Sequence, residues 1–140
     1  MDDLVRWLGV QLDEDERTAR RAADYDDGAA HDVHGPPGTW ACMDEAEWFG
    51  PSYRGGVIAP RIGNVNAPEL GAHIVRHDPA RVLREIDAKR QALDHYARIR
   101  EHTKRGDEAY VLAEGAVAKQ IQIMATAYDH RPGYRDDWRP

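Results

Sequence analysis

A chain of 140 residues with a formal net charge of −6 at pH 7 is sized for one domain that buries its core without metal or disulfide support. Its single cysteine, Cys42, excludes an internal disulfide, and no stretch approaches the roughly 20 apolar residues of a membrane span. The opening MDDLVRWLGV has neither the basic start nor the long apolar run of a signal peptide, so the cytoplasm is the expected location.

Residues 1–24 read as a first helix. Leu4, Val5, Leu8 and Leu12, then Ala19 and Ala23, keep a helical period, and the acids Asp13 to Glu16 precede Arg17, Arg20 and Arg21 by about one turn. The segment DYDDGAAHDVHGPPG that follows is punctuated by Gly28, Gly35, Pro36, Pro37 and Gly38 and reads as a loop. Residues 40–66 are expected to form two or three short strands, with VIAPRIGNV as a hairpin that places Pro60 at a turn or an edge.

Pro68 opens a short helix over 68–77, PELGAHIVRH, which ends where Asp78 and Pro79 start the next. Asp78 suits an N-cap, because its carboxylate accepts the free N–H groups of the first turn, and Pro79 fills the first helical position, where a missing N–H costs nothing. Across 79–103, Val82, Leu83, Ile86, Leu93, Tyr96 and Ala97 share one face, while Arg81 with Glu85 and Glu85 with Lys89 pair along the other. Arg90 lies at the edge of the apolar stripe, placed to reach a carboxylate elsewhere.

A third long helix spans 108–128, with Tyr110, Ala113, Val117, Ile121, Met124 and Tyr128 on one stripe. Gly115 in its interior costs about 1 kcal/mol against alanine, and close packing against another helix is the expected offset. The tail over 129–140 carries Tyr134 and Trp138 and is expected to dock on the body. These elements predict an α+β fold for a single domain over 1–140: three long helices sharing one core, with a small antiparallel sheet or hairpin between the first and second.

Charge is unevenly spread. Residues 1–34 hold ten acids and four bases, whereas residues 73–105 hold five acids and nine bases. The two helices are expected to pack side by side and neutralise one another; binding of phosphate by the basic helix 79–103 is the rival, disfavoured by the overall negative charge.

The block HIVRHDPARVLREIDAKRQALDHY, with the opening MDDLVRWLGVQLDEDERTARRA and the ending AYDHRPGYRDDWRP, resembles an uncharacterised family of small actinobacterial and actinophage proteins known as a domain of unknown function. HIVRHDPARVLRE is the specific part of the likeness. The resemblance implies a cytoplasmic protein of such bacteria or their phages and carries no activity or catalytic residue.

The residues that could carry chemistry are few. His73 and His77 stand four apart, the spacing that on a helix puts two imidazoles on one face, and Asp78 could add an oxygen to a divalent metal. In an extended segment the same residues lie about 13 Å apart, too far for one ion. Arg90 and His95 have a spacing compatible with phosphate stabilisation and proton transfer, but it is short and common in a basic helix. Trp40, Trp48, Phe49 and Tyr53, beside Asp44, Glu45 and Glu47, suit a recognition patch or the filling of a core around a small sheet. No P-loop, GxGxxG, GxSxG or CxxC occurs, so no cofactor is expected beyond that divalent metal.

The leading expectation is a non-catalytic protein-interaction or regulatory module with an unknown protein partner. A metal-dependent hydrolase or nuclease built on His73, His77 and Asp78 is the alternative, and nucleic-acid binding by the basic helix a second one. The oligomeric state is not legible in the sequence.

Overall fold

A computed structural model describes residues 1–24, 38–44, 56–59, 63–65 and 68–140. Among them are four α-helices: α1 (Asp2–Ala23), α2 (Pro68–Arg76), α3 (Pro79–Lys104) and α4 (Ala109–Ala125). Two 3-10 turns follow, Thr126–Tyr128 and Asp136–Trp138. Three short extended segments lie between α1 and α2: β1 (Ala41–Asp44), β2 (Gly56–Ala59) and β3 (Gly63–Val65). Their backbones pair antiparallel in that order, with Ala41 opposite Ala59 and Val57 opposite Asn64.

The α+β class expected from the sequence is corrected, because the chain is mostly helical. Segments of three and four residues fall at the lower end of strand lengths and are too small to form a layer of the fold. Among the residues whose burial is described, every buried apolar side chain stands on a helix or a 3-10 turn. Helical periodicity therefore decides the architecture.

Backbone proximity divides the chain into two compact units, Met1–Asp15 with Ile86–Pro140, and Glu16–Glu85. In the first, Leu4, Leu8 and Leu12 recur every four residues of α1 and have no exposed surface. Ile86, Leu93, Tyr96 and Ile99 of α3, Ile121 and Ala125 of α4, then Tyr128 and Trp138, complete the buried set. Full burial of one such side chain contributes about 1.5–3 kcal/mol, so Leu8→Ala is the kind of change that breaks this unit, at a cost of about 2–5 kcal/mol.

Polar ties join the elements of this unit. Arg90 of α3 donates to Asp13 of α1 at 2.6 Å, Arg100 pairs with Asp2, and Arg131 pairs with Asp15. Lys89 donates to the Tyr128 hydroxyl at 2.8 Å, so Glu85 keeps only Arg81, at 2.7 Å, of the two bases expected to pair with it. Trp7 packs its ring 5.5 Å from those of Tyr134 and Trp138, which brings the tail onto α1.

In the second unit the start of α3 is fixed by three acceptors. The Arg81 N–H donates to Asp78 Oδ1 at 2.7 Å, the Val82 N–H to the Asp78 carbonyl at 3.0 Å, and the Ala80 N–H to the Gly38 carbonyl at 3.0 Å. The first and third satisfy donors that a helix start otherwise leaves open, and the second is the first bond of the helix itself. Gly38 holds that carbonyl in place at φ +82°, and a Cβ there would meet the Ala23 Cβ at 3.0 Å, so only glycine suits the position.

Gly115 corrects a further expectation: no atom lies within 4 Å of where its Cβ would be. Among the described residues the helix packs against nothing there, and none of them offsets its propensity cost by close approach.

Candidate functional site

Two features of α4 make it unlike the other long helices. Of its 17 residues only Glu114 and Lys119 are charged, whereas α3 carries charged side chains through nearly every turn. A helix apolar on all sides is ordinarily buried. Yet Leu112 is 86% exposed, Ile123 54% and Val111 53%.

Helix geometry sorts these residues into faces. At 3.6 residues per turn, Leu112, Ala116 and Ile123 fall within about 40° of one another and span about 16 Å of axis. They lie well round the helix from Ile121, Ala125 and Tyr128, which are buried. So α4 has one apolar face in the core of its unit and a second in solvent, interrupted by the flexible stem of Lys119. The sequence reading of the stripe Tyr110–Tyr128 found the inner face and missed the outer one. The signal was available: two charges in 17 residues cannot cover half a helix.

At the junction of α2 and α3 the expected metal residues are placed as follows. His73 stands on the last turns of α2 and His77 in the turn after it, both exposed, with ring centroids 4.4 Å apart and tilted by 41°. The His77 Nδ1–H donates to the His73 carbonyl at 2.8 Å. Asp78 caps α3 through Oδ1. Among the described residues no group of three or more His, Cys, Asp or Glu side chains is gathered in a form that could hold an ion.

The remaining candidates are dispersed. Trp40 is half-buried, with its indole Nε1 buried and without an acceptor among the described residues; Trp48, Phe49 and Tyr53 lie outside those residues. Arg90 and His95 do not converge: five positions put them about 140° apart round the helix, and Arg90 is held by Asp13. No helix among the described residues is long and apolar enough to cross a membrane.

Fold and site together define a class, a mostly helical protein with a solvent-facing apolar helix side. The chain belongs to the Family of unknown function (DUF6221), whose model matches residues 1–140. No curated protein and no solved structure matches it.

Proposed function

We propose that the protein is a non-catalytic interaction module that docks a partner protein on the outer face of α4. The observation that carries this reading is the exposure of Leu112 and Ile123 on a helix with almost no charge to solvate that side. Covering apolar surface is favourable by about 25 cal/mol per Å², and isolated exposed leucines need no partner, whereas a face extending over three helical turns gains from one.

The rival readings have thinner support. A hydrolase or nuclease on His73, His77 and Asp78 would need the aspartate as a ligand or base, and its Oδ1 is taken by the Arg81 N–H. A phosphate-binding basic helix would need free cations, and Arg81, Arg90 and Arg100 of α3 each engage a carboxylate. The HIVRHDPARVLRE segment supports an actinobacterial or phage source.

The test is co-purification from a native lysate with the wild-type chain and with a Leu112→Lys, Ile123→Lys variant. Both side chains are exposed, so the variant keeps its helicity by circular dichroism. Retention of a polypeptide by the wild type and its loss from the variant supports the reading. Identical co-purifying sets, or none with either chain, overturn it.

A further inference from the structure

We propose that His73 and His77 form a two-imidazole site for a divalent transition-metal ion of the Zn²⁺, Ni²⁺ or Cu²⁺ kind, and that the ion ties the last turn of α2 to the residue that follows it. A different part of the molecule from α4 carries this inference. The two rings sit on one side of the chain, exposed, with centroids 4.4 Å apart. One ion held by two nitrogens at roughly 2.0–2.1 Å each bridges groups up to about 4 Å apart, a span that suits rings with this centroid separation.

Local hydrogen bonding prepares His77 for this role. Its Nδ1–H donates to the His73 carbonyl at 2.8 Å, which puts the lone pair of the neutral ring on Nε2. A backbone carbonyl on the other ring nitrogen is the usual outer partner of a metal-ligating histidine, because it fixes both tautomer and ring orientation.

The backbone beneath is held as well. The His77 N–H donates to the Ile74 carbonyl at 3.0 Å and the Asp78 N–H to the Val75 carbonyl at 3.3 Å, while the Arg81 guanidinium donates to the Arg76 carbonyl at 2.8 Å. The ion would lie at the C-terminal end of α2, where the helix dipole favours positive charge.

Imidazole pairs suit borderline ions and not Mg²⁺ or Ca²⁺, which take oxygen ligands. With two protein ligands the remaining positions belong to water. The role that follows is mechanical, a clamp on the last turn of α2.

Titration of the full-length protein with ZnCl₂ by isothermal calorimetry, together with long-range ¹H–¹⁵N spectra of the imidazoles, tests the proposal. One ion per chain is expected, with Nε2 of His73 and His77 shifting on addition. His73→Ala and His77→Ala should each weaken binding at least about tenfold, and His130→Ala should leave it unchanged. His77→Gln, which keeps a polar side chain in the turn, should behave like His77→Ala if ligation is what is lost. Absence of binding, a loss smaller than tenfold in any of the three substitutions at residues 73 and 77, or shifts confined to other histidines, overturns the proposal.

Discussion

Trp7 of α1 donates its indole N–H to the Pro132 carbonyl at 3.0 Å, across 125 residues of chain. The bond draws the tail down beside the first helix, and Gly133 makes it possible. Gly133 has φ +85°, and a Cβ on it would meet Trp7 Nε1 at 3.0 Å and Cδ1 at 3.3 Å. Gly133→Ala therefore strains the backbone and displaces the indole together, at an expected cost of about 1–2 kcal/mol. Trp7→Phe keeps a ring and loses the donor, at about 1 kcal/mol. Urea midpoints at constant slope measure both. A Gly133→Ala midpoint equal to that of wild type would show that the tail does not depend on this contact.

Gly115 in α4 has no neighbour among the described residues within 4 Å of where a Cβ would sit, so a methyl group there meets none of their atoms. Gly115→Ala should stabilise the protein by about 0.8–1 kcal/mol through helix propensity alone. Thermal melts followed by circular dichroism read the change as a rise in midpoint. A fall would mean that something packs closely on that side of the helix.

Asp78 holds the first turn of α3 through the Arg81 N–H at 2.7 Å. Asp78→Ala is expected to cost about 1 kcal/mol, and Asp78→Asn, whose side-chain oxygen still accepts, only a fraction of that. Denaturant midpoints for the two variants separate a capping role from a purely electrostatic one: if charge mattered most, asparagine would cost as much as alanine.

Burial raises the pKa of the Tyr96 phenol from its ordinary 10.0, and the nearby Glu114 carboxylate raises it further. The folded-state value thus lies above the unfolded one. The resulting stabilisation is fully present below the ordinary phenol value and is lost as pH rises through the raised folded value. Stability measured from about pH 9 to about pH 12 should fall less steeply in Tyr96→Phe than in the wild type. Parallel curves would contradict the assignment.

Much of the helical framework was legible in the sequence because its signals are local. The Asp78-Pro79 pair marks the start of α3, and the four-residue spacing of Leu4, Leu8 and Leu12 marks the buried side of α1. Arg90, read as a cation seeking a distant carboxylate, finds Asp13. The fold class was misjudged because the apolar pieces GGVIAP and RIGNV around residues 56–66 suggested a sheet of greater weight than segments of three and four residues carry. The outer face of α4 escaped notice for a different reason. Periodicity identifies which side of a helix is apolar, and here the opposite side, through Leu112 and Ile123, is apolar too. The His73–His77 pair was visible as a spacing, while the bond from His77 Nδ1–H to the His73 carbonyl depends on backbone geometry that no spacing reveals.

The docking of a partner on α4 is tested most directly by a photo-crosslinking amino acid at position 112, expressed in the native host, with the same group at Glu101 on the charged side of α3 as the control. The account predicts a discrete adduct with another polypeptide from position 112 and none from position 101. No adduct from position 112, or the same adducts from both positions, would contradict it.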